Sequence, residues 1–279
     1  MKTLFCWLLL FAAPLAMYAQ NTAEFDDACA KKMSLLFSSS DSVLGIVHTR
    51  RLLYPNSAGK SALTPTGWGS SGTHIFGGMG GSFPQLYHKS IDLLASVGVC
   101  AGNPVKYVSV VGVVNINDVS KFDNFSYGFI ASRFLGKASS IAFGAENIFR
   151  DPKKNDAGSS FYLVFSHASQ TIQSPTPNMS RLSYSVGLGS GQYATKSPKD
   201  ILEGKGKYGT IVFGNISYEV IKNVNVSAEW TGINLGFSMG LLPFKKLPGI
   251  SIGIADVTRF SGDKAHFVFN IGHSLSFHH

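Results

Sequence analysis

His167 and Ser169, two residues apart in the stretch HASQ, are the pair best suited to nucleophilic chemistry in this chain. An imidazole within reach of a hydroxyl can take its proton and leave an oxygen able to attack an ester carbon. His167 shares strand parity with Phe161, Leu163 and Phe165, so the pair would work on an apolar face. No acidic residue follows at a spacing suited to orient the imidazole, and Asn178 would have to serve. The plainer reading, an interfacial His beside a turn Ser, is the one adopted. A second set of candidates is polar and alternates with apolar neighbours: Glu146, Arg181, Asn223, Asn225, Glu229, Thr231 and Asn270. Lining an enclosed interior, these could form Glu–Arg struts or a pore wall that biases ions or sugars. Struts are preferred, because the Gly and Ser around them indicate a narrow or filled interior.

Other motifs carry less. AGKS (58–61) would need an upstream Gly where Tyr54 stands, so no phosphate cradle forms. GLGSG (187–191) lies within a strand pattern, where Gly indicates close packing. There is no paired-Cys motif and no His cluster at metal spacing, and no cofactor is expected. Asn-x-Ser sequons begin at Asn124, Asn178, Asn215 and Asn225 and matter only in a glycosylating pathway. A His two residues before a Ser also resembles the dyad of outer-membrane phospholipase A and lipid A deacylase barrels, which implies a lipid hydrolase as the alternative function. Those families carry Asn after the Ser, where this chain has Gln170.

The elements that must position these residues are short alternating strands. RLSYSVGLG sets Leu182, Tyr184, Val186 and Leu188 against Arg181, Ser183, Ser185, Gly187 and Gly189, and NVNVSAEWTG sets Val224, Val226, Ala228 and Trp230 against Asn223, Asn225, Ser227, Glu229 and Thr231. About twelve such segments fall near 73–83, 91–100, 106–116, 125–134, 139–149, 159–168, 181–191, 208–219, 223–232, 234–242, 250–257 and 264–277. Most have the length a tilted strand needs to cross a bilayer, and an even number suits a bacterial barrel. The segment KYVSVVGVVNI (106–116) is apolar on both faces and fits the alternation poorly. Longer, more charged connections, such as DPKKNDAG and QYATKSPKDILEGKGK, fall at one end; 169–180 is long for a turn at the other.

Only 14% of the 279 residues are charged, fewer than a soluble domain of this size normally carries, and no apolar run after residue 20 reaches 18 residues. A membrane-embedded form must therefore be a closed barrel, which alone among strand structures satisfies every backbone group in lipid. Lys2, the apolar run Leu4 to Ala13, Pro14 and Ala19 read as an export leader over 1–19. Residues 20–72 form an N-terminal extension, helical over 21–37 and then irregular, that either lines or plugs the barrel or lies in the periplasm. The barrel itself is 73–277. Cys29 and Cys100 remain after the leader and either pair or stay as separate small apolar residues. The net charge of +8 is spread over Arg50–Arg51, Lys153–Lys154, Lys205–Lys207 and Lys245–Lys246, and most of these are read as loop-tip charges; as an acidic partner of an exported chain, anionic lipid or polysaccharide suits better than nucleic acid.

The phrases SALTPTGWGSS (61–71), NVSAEWTGINLGFSM (225–239) and ISIGIADVTRFSGDKAHFVFNIGHSLSF (250–277) resemble uncharacterised bacterial outer-membrane barrels in the style of YjbH-like, exopolysaccharide-associated porins. The resemblance implies an outer-membrane location and a last strand, ending at Phe277, that the barrel-insertion machinery reads. The expectation is thus an all-β chain, an antiparallel transmembrane β-barrel of about twelve strands. It would act as a passive channel or structural surface protein, in contact with outer-membrane lipid and lipopolysaccharide and open to small solutes or polysaccharide. A lipid hydrolase and a secreted soluble β-protein that binds carbohydrate or a protein are the alternatives.

Overall fold

The structure is a computed structural model that describes residues 52–56, 61–84, 91–152, 158–242, 248–261 and 264–276. The leader, the helix expected over 21–37 and Cys29 lie outside the described residues. The chain forms β1 (Tyr54–Pro55), β2 (His74–Phe83), β3 (Asp92–Gly102), β4 (Ser109–Asp118), β5 (Asp123–Gly136), β6 (Ser139–Ile148), β7 (Ser160–Ala168), β8 (Met179–Ser180), β9 (Leu182–Gly189), β10 (Val212–Ile221), β11 (Val224–Trp230), β12 (Leu235–Leu241), β13 (Gly249–Ala255) and β14 (His266–Ser276). All but β1 and β8 join one closed barrel of twelve strands, antiparallel throughout. The first and last barrel strands close it, with Phe267 opposite Phe83 and Ser276 opposite His74.

Which face points outward follows from exposure. On β9, Tyr184, Val186 and Leu188 are 41%, 50% and 54% exposed, while Ser183 and Ser185 between them are buried at 8% and 6%. The same inversion holds for Phe237 against Ser238, and for Phe267 and Ile271 against Asn270. A strand has a side-chain period of two, so one register sets every such choice. In water this arrangement would expose the groups that gain most from burial. In hydrocarbon it is the stable one, and closure leaves no strand edge unpaired. The fold is that of a membrane-spanning β-barrel.

The two-faced apolar segment has a packing explanation. On β4, Val110 faces outward at 50% exposure, while Val111 and Val113 turn into the lumen at 1% and 5%. They join Phe76, Cys100, Ile130, Ala142, Tyr162, Val164, Tyr193 and Phe213 in an apolar cluster inside the barrel. Three inward rings are admitted by glycines on the adjoining strands: a Cβ at Gly98 would meet the Phe76 ring, at Gly144 the Tyr162 ring, and at Gly187 the Phe213 ring. The GLGSG glycine is thus a packing residue. Gly144→Val is expected to cost about 1–3 kcal/mol by overpacking, read as a lower temperature at which the folded gel band gives way to the slower unfolded one.

Connections divide between two rims. The strand ends His74 and Ser276 share one rim with the connections 103–108, 137–138, 169–181, 222–223 and 242–248; the other carries 84–91, 119–122, 149–159, 190–211, 231–234 and 256–265. Longer loops on one rim and shorter turns on the other match the asymmetry of outer-membrane barrels. The long 169–181 connection has a use: its β8 pairs in parallel with β1, Tyr54 opposite Met179 and Pro55 opposite Ser180. A short helix, α1 (Pro198–Leu202), interrupts the 190–211 loop, which the sequence marks only as a long, charged connection. Ser197 caps it by accepting the Asp200 N–H, and Pro198 sits in its first turn, where a missing N–H costs nothing.

Candidate functional site

The lumen is occupied by the chain's own residues 61–70, which run along the inner wall before entering β2. Glu229, on β11 and fully buried, gathers the upper end of this strap. Its carboxylate accepts from the backbone N–H groups of Ala62, Leu63 and Thr64, each at 2.9 Å, from the hydroxyls of Ser61 and Thr64, and from Ser238 on β12. Asn215 on β10 donates to Thr64 Oγ1 at 2.9 Å. A buried carboxylate needs this many donors, since an unpaired one would carry a desolvation cost of several kcal/mol. Lower down, the Gly67 N–H donates to Ser166 Oγ at 2.7 Å and the Gly67 carbonyl accepts from Ser140 Oγ at 2.6 Å. A Cβ at Gly67 would lie 2.7 Å from the Ser140 carbonyl oxygen, and one at Gly69 would collide with Ser132 Oγ. Trp68 packs with Tyr54, Phe134, Ala138 and Ala168 near the rim that bears the strand ends. Gln170 fastens the chain there, accepting from the Leu53 N–H at 2.9 Å and donating to the Leu53 carbonyl at 2.8 Å.

The opposite mouth is covered by loops that hold one another. Tyr193, from the 3-10 turn Gly191–Tyr193, reaches into the lumen, 4.6 Å between ring centres from Phe213, and its hydroxyl donates to Glu146 at 2.9 Å. Gln192 also donates to Glu146. Above it, Asp200 accepts from Ser197 Oγ and Ser261 Oγ, both at 2.7 Å, and pairs with Lys205 at 2.8 Å. These contacts, with Asp200 first and Glu203 second, hold the Lys205 ammonium well above the usual lysine range. Asn234 donates to Asp256 at 2.9 Å and accepts from the Phe260 N–H at 2.7 Å. Burial pushes the Asp256 carboxyl above its ordinary value, against the opposing pull of His266 at 3.4 Å and of the Asn234 amide. Asp200→Ala would leave the buried Ser261 hydroxyl and the half-buried Ser197 hydroxyl without this acceptor, and Lys205 with Glu203 alone. The 190–211 loop should then be cut by protease at least tenfold faster than in wild type, by the roughly 1.5–3 kcal/mol each charged hydrogen bond contributes.

The sequence-derived candidates fall in three places. Glu146, Asn225, Glu229 and Asn270 are buried on the inner wall, Asn270 donating to Ser251 Oγ at 3.2 Å and Asn225 to Ser217 Oγ at 3.2 Å. Arg181, Asn223 and Thr231 sit at strand ends: Asn223 is a positive-φ turn residue (φ 63°), and Thr231 braces the 231–234 turn by accepting from the Asn234 N–H at 3.0 Å. The outer turn expected at residue 233 alone is this longer one. The expected Glu–Arg strut does not form, because Glu146 and Glu229 are satisfied by neutral donors while Arg181 lies at the far rim. His167 and Ser169 are not brought together. His167 Nδ1 lies 2.8 Å from Ser139 Oγ and its ring leans on Tyr184, while Ser169 Oγ pairs with Thr171 Oγ1 at 3.0 Å. Asn178 is a positive-φ turn residue (φ 61°) whose carbonyl accepts the Tyr54 N–H. Cys100 is a buried free thiol 3.4 Å from Ser109 Oγ. Glu219 escaped the sequence reading although it shares strand parity with Asn215 and Ser217; it is fully buried and accepts the Asn223 N–H at 3.0 Å.

No protein-family model and no curated protein matches the sequence. Among solved structures, the fold is similar to a KdgM porin in complex with disordered oligogalacturonate (TM-score 0.42, 13% identity, covering 74% of this chain and 99% of that one). It is also similar to outer membrane phospholipase A from Escherichia coli (TM-score 0.36, 12% identity, 84% and 95%).

Proposed function

We propose that this chain is an outer-membrane barrel whose internal passage is held shut by its own segment 61–70, a porin-like conduit that opens when the strap leaves the lumen. The observation that carries this reading is Glu229, a wall carboxylate whose acceptor capacity is spent almost wholly on that segment. A residue needed only to brace the wall would bond to neighbouring strands, as Asn225 and Asn270 do. Outer-membrane placement is supported by the outward apolar face and by the export leader read over 1–19. Small solutes or polysaccharide fragments are the cargo that the side of the lumen formed by β11–β14, walled by Asn, Ser and Glu, would accommodate once cleared, in keeping with the likeness to YjbH-like porins. Tyr193 is a second obstruction, at the opposite mouth.

Planar-bilayer recording tests the proposal. Wild-type protein should be closed nearly all the time, and Glu229→Gln combined with Tyr193→Ala should pass stepwise ionic current. A doubly substituted protein that keeps its faster-migrating folded gel band yet passes no current would instead identify a sealed structural barrel.

A further inference from the structure

We infer that the rim bearing the barrel's two strand ends is a binding collar for anionic phospholipid headgroups, an inference that rests on the membrane reading proposed above. Four successive connections on that rim each carry a cation: the exposed Lys106 between β3 and β4, Lys137 between β5 and β6 and Lys222 between β10 and β11, and the half-buried Arg181 between β7 and β9. Arg133, near the end of β5, adds a fifth. Among the described residues these hairpins contain no Asp or Glu. Glu219, near the end of β10 at this rim, is fully buried in the lumen and accepts the Asn223 N–H. The opposite rim is different in kind. There Lys121 pairs with Asp118, Lys199 with Glu203, Lys205 with Asp200 and Glu203, and His266 with Asp256. Lys196, Lys207, Arg259 and Lys264 stand outside these pairs, yet that rim mixes acids with its cations, whereas the described hairpins of the collar hold cations alone.

Position selects the partner. Arg133 is exposed and has the outward parity of Tyr127, Phe129 and Leu135, so its stem lies along the acyl-facing surface. A guanidinium placed there reaches toward headgroup phosphates with its stem in hydrocarbon. Tyr107, at 72% exposure beside Lys106, sits where the aromatic girdle of a barrel meets the interface. An acidic protein docking from the aqueous side would meet the turn tips but not Arg133. A phospholipid phosphate meets both.

The test uses the folded full chain. Heat-modifiable gel mobility after transfer into phosphatidylcholine vesicles first checks the membrane reading itself; failure to insert there sinks that reading and not merely this one. Detergent-solubilised protein is then titrated with short-chain phosphatidylglycerol, phosphatidylcholine or inorganic phosphate, and bound lipid is counted by native mass spectrometry. Phosphatidylglycerol should bind in preference to phosphatidylcholine, with free phosphate having no effect. In the variant Lys106→Gln, Arg133→Gln, Lys137→Gln, Lys222→Gln, the apparent affinity should fall about fivefold per cation, more than a hundredfold in all. A control at the other rim, Lys121→Gln with Lys199→Gln, should keep the preference. Equal binding of the two lipids by wild-type protein, an undiminished preference in the fourfold variant, or an equal loss in the control would each overturn the inference, as would competition by inorganic phosphate alone.

Discussion

Glu229→Gln should release the 61–70 strap from the barrel wall while leaving the barrel standing. Glutamine has nearly the shape of glutamate but offers one acceptor oxygen and two donor hydrogens. Around it stand three backbone N–H groups, which can only donate, and the hydroxyls of Ser61, Thr64 and Ser238, which donate to it here. In either amide orientation its NH2 would face at least one of those N–H groups and leave it unpaired in a buried place, at about 1–3 kcal/mol. The remaining bonds lose their charge assistance, roughly half their strength. A change of several kcal/mol exceeds what the lower anchor at Gly67 supplies through two neutral hydrogen bonds. Trp68, buried against Phe134 in the strap's lower half, reports the outcome. In a Trp230→Phe background its emission should move to longer wavelength in Glu229→Gln, and brief conductance steps should appear even with Tyr193 in place. Unchanged Trp68 emission would mean that Glu229 does not hold the strap.

The second large effect concerns the outer face. Val186→Arg, midway along β9 and half exposed, should destabilise the inserted barrel by about 2–4 kcal/mol, the cost of a cation near the bilayer midplane. Ser185→Ala, its immediate neighbour, points the other way and loses only its 2.7 Å hydrogen bond to Ser166, about 1 kcal/mol. Folding into vesicles at graded urea concentrations measures both. If Val186 faced water instead of lipid, the order would reverse, because arginine is well solvated at a surface whereas a lost buried hydrogen bond always costs.

The mutual position of these two residues explains why the wall was legible before any coordinates. Val186 and Ser185 differ by one position, and a strand cannot place both on the same side. Alternation repeated through twelve segments therefore carried both the strand pattern and, with the low charge, the outward sense of the apolar face. The same logic marked Glu146, Asn225, Glu229 and Asn270 as inward. It failed where its premise failed. Phe76, Tyr162 and Phe213 are large and apolar yet face inward, because glycines on neighbouring strands make room for their rings. Arg181 and Thr231 obey the parity but lie beyond the strand ends, where parity no longer sets direction.

His167 and Ser169 illustrate a different limit. Nearness in sequence suggested a pair, but β7 ends at Ala168, so Ser169 turns away to Thr171 while Ser139, on the adjacent strand, meets His167.

By itself the sequence determined the strand count, the lipid-facing set and the division into longer and shorter loops, since each depends on local periodicity and turn chemistry. Only the tertiary structure decided what fills the lumen. The bonds from Ala62, Leu63 and Thr64 to Glu229 join residues more than 160 positions apart. They depend on barrel closure bringing β11 to the strap, and no local pattern encodes a contact made by backbone N–H groups that every residue type but proline possesses.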